Sequence, residues 1–132
     1  MIERPAVIVH GLPDARMALA PGRAVLLVSG PGAALYAGCG WWQAMVAAAR
    51  AEFPATDADD LLDCADAPGR ALEALRAGLR NLVLDPACPG FPGVQRVAAC
   101  LGARLFTRAP EALDLAAPGA ERRLAAWLAR SG

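Results

Sequence analysis

The chain has 132 residues, of which 56% are hydrophobic and 20% charged, and its 13 basic residues balance its 13 acidic ones. This length is typical of one domain of ~100–150 residues, which can fold without disulfides or metal, so we expect residues 1–132 to form a single domain. A neutral chain without a cluster of basic residues is not typical of proteins that bind nucleic acid or anionic membranes, and no apolar stretch reaches the ~18 residues of a membrane span.

All 13 basic residues are arginines. The absence of lysine excludes a Schiff base, a P-loop lysine and a lysine general base. The four cysteines form no C-x-x-C pair and the chain has one histidine, so we predict no metal site, no disulfide framework and no cofactor. The amino-terminal residues show no signal-peptide pattern, and the excess of Ala, Arg, Gly and Pro resembles that of GC-rich bacterial genomes. We therefore expect a cytoplasmic bacterial protein with reduced thiols.

Short apolar runs alternate along the chain with longer segments whose apolar residues recur at steps of three and four. The short runs predict strands buried on both faces, and the longer segments predict amphipathic helices. Glycine and proline separate these elements, and Asp14 is expected to cap the first helix. In chain order, the predicted elements are a strand at 6–9, a helix over 14–20, a strand at 24–28, a helix over 41–53, a strand at 60–64, a helix from 68 to about 78, a strand at 81–84, a helix over 94–101, a strand at 103–107 and a last helix after 119.

This alternation predicts the fold class, since buried strands that alternate with helices form a mostly parallel sheet. Right-handed crossovers place helices on both faces of such a sheet. We therefore predict an α/β fold, a three-layer α/β/α domain with five mostly parallel strands, flavodoxin-like or Rossmann-like. Two strand orders are compatible with the sequence, 2-1-3-4-5 and 3-2-1-4-5.

Polar residues follow the predicted strands at their carboxyl ends, where parallel sheets bind ligands at the switch in strand order. His10 borders that crevice in both orders, beside Asp63 in one and Asp85 in the other. We predict His10 as a general acid or base with Asp63 as a second catalytic residue. The alternative is structural, with His10 bonded to a loop carbonyl and the aspartates capping helices or pairing with arginines. Further polar residues predicted at this edge are Ser29, Asp66, Cys88, Thr107 and Arg108.

The loop from Ser29 to the following helix is rich in glycine. Backbone N–H groups in such a loop, helped by the dipole of the next helix, can bind an anion. The loop matches neither the P-loop nor the dinucleotide-binding pattern, so a nucleotide is not indicated. Cys39 in this loop is either a nucleophile or a buried small side chain. The residues predicted to bind a small polar or anionic ligand are Ser29, Gly30, Gly32, Gly38, Gly40 and Asp85.

Two adjacent tryptophans, Trp41 and Trp42, begin the next predicted helix. Both cannot face inward on a helix, so one of them is expected near the surface. With Tyr36 and the proline-rich loop at 89–92, they form a candidate interface for a homodimer or another protein.

The segment from Asp63 to Leu105 resembles the closing half of response-regulator receiver domains. It contains a strand, an acidic loop, a helix that ends in Ala-Leu-Arg-Ala-Gly at 74–78, a strand at 82–84, a proline-containing loop and a helix. Receivers carry an acidic pair after the first strand, where this chain has His10, and a lysine after a later strand, where it has Asp85. These departures exclude phosphotransfer and are compatible with a degenerate relative of the receivers. A helix that ends in Ala-Leu-x-Ala-Gly before a strand also recurs in βα-barrel enzymes.

Two functions follow from these residues. The first is binding of a small polar or anionic ligand at the carboxyl edge of the sheet, with no reaction assigned because no nucleophile, base and orienting group are shown to converge. The alternative is a noncatalytic dimerisation or protein-interaction module related to degenerate receiver-like domains.

Overall fold

The computed structural model describes residues 4–130 and has an α/β fold, with a parallel sheet of six strands flanked by helices. The predicted fold class is confirmed, but the predicted number of strands, five, is wrong. The additional strand has three residues, too few for a recognisable apolar pattern, and it lies where the sequence predicts only a turn. The elements are β1 (Ala6–Ile8), α1 (Leu12–Leu19), β2 (Val25–Val28), α2 (Ala33–Tyr36), α3 (Cys39–Glu52), β3 (Ala58–Asp63), α4 (Pro68–Arg76), β4 (Asn81–Val83), α5 (Phe91–Leu101), β5 (Arg104–Phe106), β6 (Ala112–Asp114) and α6 (Ala120–Leu128).

The chain divides into two compact units. The first unit contains the residues up to 30, residues 44–60 and the residues from 110 onward, and the second unit contains residues 31–43 and 61–109. That residues 1–132 form one domain stays a prediction. No helix in the described part of the chain is both long and apolar enough to cross a membrane.

In the first unit β1 pairs in parallel with β2 on one side and with β6 on the other. Val7 in the middle of β1 lies opposite Leu27 and Leu113, and all three side chains are buried, as continuous apolar runs predict. Both predicted strand orders are wrong, because each places a third or fourth strand beside β1. The chain leaves β1 towards β2 and its last strand joins the opposite side of β1, so the switch in strand order lies between β1 and β6.

In the second unit β4 pairs in parallel with β3 and with β5, and Leu82 lies opposite Leu62 and Leu105. Helix α5 begins at Phe91, three residues earlier than the sequence predicts. The reason is that Phe91 is buried and Gly90, at φ 92°, turns the chain into the helix.

The start of α1 also differs from the prediction. The helix begins at Leu12 after Gly11, and no side chain caps it. Asp14, the expected cap, lies in the first turn, where its Oδ2 accepts the backbone N–H of His10 at 2.9 Å. Asp14 therefore fixes the backbone that leads from β1 into α1.

Candidate functional site

His10 and Asp114 meet at the carboxyl ends of β1 and β6, on the two sides of the switch in strand order. His10 Nε2 lies 2.7 Å from Asp114 Oδ1, and the two side chains are 38% and 39% exposed. A carboxylate that fixes an imidazole ring near solvent is suited to proton transfer. The sequence does not predict this partner, because β6 itself is not predicted. Asp63 lies in the second unit, and a joint catalytic role for His10 and Asp63 stays a prediction.

The ionised form of Asp114 is favoured in the fold. Burial of the carboxyl group opposes its charge, but the backbone N–H of Ala116 and the His10 ring outweigh this effect, so the pKa of Asp114 lies below its ordinary value. The carboxylate is therefore the form that holds both the turn after β6 and the His10 ring.

We expect Asp114→Asn to lower stability only where the native carboxylate is charged. The amide can still accept the Ala116 N–H, so the variant removes charge but retains the turn. Because the pKa is lower in the folded chain than the ~3.9 of an unfolded aspartate, the charge stabilises the fold above that pH, and the contribution is lost as the pH falls through the folded pKa. Urea unfolding should show a deficit of a few tenths of a kcal/mol at about pH 5–6 that disappears at about pH 2. A deficit that grows on acidification would contradict this assignment.

Three aspartates at strand ends form the same local turn. In each case Oδ1 accepts the backbone N–H of the residue two positions later, at 2.8 or 2.9 Å. The sequence pattern Asp-x-Ala occurs at each of these turns. It is the sequence signal by which Asp114 could have been grouped with the predicted site residues Asp63 and Asp85. The pairs are Asp63 with Ala65, Asp85 with Ala87, and Asp114 with Ala116.

A shallow cleft of about 480 Å³, largely open to solvent, lies in the second unit at the carboxyl ends of β3, β4 and β5, and we call it the cavity of this unit. Ligand sites in proteins commonly have volumes of ~300–1,000 Å³. Asp66 and Arg108 are exposed here and form no ion pair within the described chain. The polar residues that the sequence predicts at the ends of these strands line the cavity, with the exception of Cys88. Its lining consists of Asp63, Ala65, Asp66, Val83, Asp85, Thr107, Arg108 and Ala109.

Ala65 in the wall of this cavity has an unfavourable backbone conformation. Its φ is 51°, and among the described residues no other non-glycine residue has a positive φ. Ala65 N–H donates to Asp63 Oδ1 at 2.8 Å, and its carbonyl accepts the N–H of Asp85 at 2.8 Å. Because an L-residue pays about 1–2 kcal/mol for this conformation, these two bonds hold the loop in a shape it would not adopt alone.

The glycine-rich loop is partly helical. Gly32, at φ 67°, precedes the single turn of α2, and Gly38 has φ 84°, so both glycines are required by the backbone. Gly40 lies within α3. Ser29 is buried, and its hydroxyl donates to the carbonyl of Gly30 at 3.1 Å. An anion-binding role for these residues stays a prediction.

The two tryptophans separate as expected. Trp42 is fully buried, whereas Trp41 is 38% exposed and Tyr36 71% exposed. Leu35 of α2 is also exposed. The exposed large hydrophobic side chains of this segment are Leu35, Tyr36 and Trp41, which we call the α2–α3 patch, while Trp42 belongs to the core.

The four cysteines are free thiols with different exposure. Cys64 and Cys88 are buried, Cys39 is half-buried and Cys100 is exposed. Burial, to which the Asp63 carboxylate and the Cys39 thiol add, raises the pKa of Cys64 to about 12. Since the thiolate is the reactive form, Cys64 is inert in the folded protein.

We expect a thiol reagent such as DTNB to label the native protein rapidly at Cys100 and more slowly at Cys39. Cys64 and Cys88 should react only in urea, which exposes all four thiols. Cys100→Ser should remove the rapid phase and leave the slow one. Rapid labelling of Cys64 in the native protein would show that the buried position of this thiol is wrong.

Within residues 4–130 no group of three or more His, Cys, Asp or Glu side chains could hold a metal ion. No protein-family model matches the chain, and no curated protein matches it.

Proposed function

We propose that the protein binds a small polar ligand in the cavity at the ends of β3, β4 and β5. The observation that carries the proposal is the assembly of Asp66, Asp85, Thr107 and Arg108 around one cavity of about 480 Å³. The position is the one at which parallel sheets commonly bind ligands.

The lining indicates the chemistry of the ligand. Three carboxylates accept hydrogen bonds from hydroxyl or ammonium groups, whereas the Arg108 guanidinium donates to one carboxylate or phosphate. A ligand that is only anionic would meet more negative than positive charge here. We therefore favour a molecule with hydroxyl or ammonium donors and a single anionic group.

An amide ¹H–¹⁵N titration tests this proposal. Suitable probes are L-serine, glycerol 3-phosphate and ribose 5-phosphate, within a wider set of polar fragments. We expect at least one of them to shift the Ala65 and Ala87 amides saturably. Arg108→Gln should then weaken binding by about tenfold or more, the effect of one charge-assisted hydrogen bond.

Matched variants separate binding from loss of structure. Asp85→Asn removes a charge, but its amide can still accept the Ala87 N–H, so it should weaken binding without opening the turn. Arg123→Gln changes an exposed arginine of α6 outside the cavity lining and should leave binding unchanged. Shifts that persist in both Arg108→Gln and Asp85→Asn would place the ligand elsewhere.

A second function, a noncatalytic interaction module, is favoured by the α2–α3 patch. No charged residue occurs between Arg23 and Arg50, so this patch lies in a segment without charge. Uncharged aromatic and aliphatic surface is typical of protein interfaces. Sedimentation equilibrium of the wild type and of Trp41→Ser tests this function. If the protein self-associates through the patch, the variant should associate more weakly than the wild type, whereas a wild type that is monomeric excludes self-association.

A further inference from the structure

Helix α5 exposes an apolar stripe that the proposed function does not use. Val97 and Leu101 are 38% and 43% exposed, and Cys100 is exposed beside them. Residues four positions apart are neighbours on the surface of a helix, so Val97 and Leu101 share one side of α5. We call these three residues the α5 stripe. The other exposed large hydrophobic side chains among the described residues form the α2–α3 patch, so the stripe is a second apolar surface of the same unit.

The chain around the α5 stripe carries positive charge only. Between Asp85 and Glu111 the sequence contains three arginines and no acidic residue, although the whole chain is neutral. Arg96 directly precedes the stripe and Arg104 follows it at the start of β5, and both side chains are exposed. Neither of them forms an ion pair within residues 4–130. Both guanidinium groups are therefore available to carboxylates of another molecule.

Helix α4 adds a further arginine at the carboxyl end of the stripe. Helix α4 packs beside α5, and each of these helices leads through a short turn into one of the paired strands β4 and β5. The carboxyl ends of both helices thus lie at the amino ends of the two strands. Arg76 in the last turn of α4 is exposed and has no ion pair in the described part of the chain. Arg76 and Arg104 therefore lie at the same end of this unit as Leu101.

The charge and the aliphatic character of this surface decide what fits it. A twofold contact between α5 of two copies would bring arginines of like charge together, which opposes a homodimer through this helix. Single-stranded nucleic acid is commonly held by aromatic side chains on which its bases stack, whereas the stripe is aliphatic. A peptide with both carboxylates and apolar side chains complements the arginines and the stripe together.

We propose that the α5 stripe docks an acidic amphipathic helix of a partner protein. Apolar side chains of that helix pack on Val97 and Leu101, and its carboxylates pair with Arg96, Arg104 and Arg76. The repeat of four along the stripe matches the spacing of side chains on one face of a helix, and a guanidinium can bind a carboxylate through two parallel hydrogen bonds. Helix α5 has 11 residues, about 16 Å, so the docked segment needs about three turns.

An amide ¹H–¹⁵N titration of the full chain tests this proposal. The probe is a synthetic peptide of about 14 residues, with leucines at steps of three and four and glutamates at the other positions. One control peptide has glutamine in place of every glutamate, and a single-stranded oligonucleotide of equal charge tests nucleic acid. We expect the acidic peptide to shift the amides of residues 96–104 saturably, and more weakly in about 300 mM than in about 50 mM NaCl. The proposal is overturned if these amides do not shift, or if either control binds as tightly.

Matched variants show whether the stripe and the arginines make the contact. Leu101→Ala should weaken binding of the acidic peptide by about tenfold, and Arg104→Gln by about two- to fivefold. Trp41→Ser in the α2–α3 patch and Arg123→Gln in α6 should bind the peptide like the wild type. Wild-type affinity in both Leu101→Ala and Arg104→Gln, or an equal loss in Trp41→Ser, would contradict the proposal. Leu101→Ala leaves the cavity lining intact, so binding of a ligand there is tested separately.

Discussion

Replacement of Trp42 by alanine is expected to lower the free energy of unfolding by about 3–5 kcal/mol, the cost of emptying a buried aromatic site. Trp42 is 0% exposed and is the largest of the fully buried side chains among the described residues. The backbone N–H of Trp42 donates to the carbonyl of Gly38 in the turn between α2 and α3. Urea unfolding followed by circular dichroism measures the loss as a lower midpoint at unchanged slope.

The adjacent tryptophan is the matched control. Trp41 has the same side chain one position earlier in α3, but it is 38% exposed. We expect Trp41→Ala to cost clearly less than Trp42→Ala, since more than a third of the Trp41 side chain is already exposed to solvent. Equal losses for the two variants would mean that Trp41 is covered in solution, as the interaction-module function requires.

Much of the fold could be predicted from the sequence, because a strand that is buried on both faces appears in the sequence as an uninterrupted apolar run. Val25 to Val28 are all buried, and such a run can occur only where both faces of a sheet are covered. The period of three and four in α3 likewise predicts its buried face, since Trp42, Met45 and Val46 are all buried.

The elements that the sequence does not predict are short. β6 has three residues and contributes only Leu113 to the core, so its apolar content is that of an ordinary turn. Its pairing with β1 is decided by contacts far along the chain, which local patterns do not contain. The partner of His10 could not be predicted for this reason, although His10 itself could.

The cavity of the second unit was predictable in composition but not in shape. Parallel strands end at one edge, so Asp63, Asp85 and Arg108 are expected near one another there. The positive φ of Ala65 and the volume of the cavity depend on the loops between the strands and the helices, which the apolar pattern does not determine.

Replacement of Leu84 by alanine is the second change with a large expected effect, about 2–5 kcal/mol of unfolding free energy. Leu84 is fully buried, and its N–H donates to the carbonyl of Phe106 at 2.9 Å, which continues the pairing of β4 with β5. The next residue is Asp85 in the cavity wall. We therefore expect urea unfolding to show the loss of stability and the Ala87 amide resonance to shift in the folded variant.

Leu101→Ala is the control within the same unit. Leu101 is 43% exposed at the end of α5, and alanine is a strong helix former, so the change should be nearly neutral. The comparison also tests the proposed ligand site, because Leu84 supports the strand that carries Asp85 whereas Leu101 is outside the cavity lining. One outcome would contradict this expectation: Leu84→Ala loses stability and still binds a ligand of the cavity as tightly as the wild type does. In that case the position of Asp85 would not depend on the packing of Leu84, and the local turn of Asp85 alone would hold it in the cavity wall.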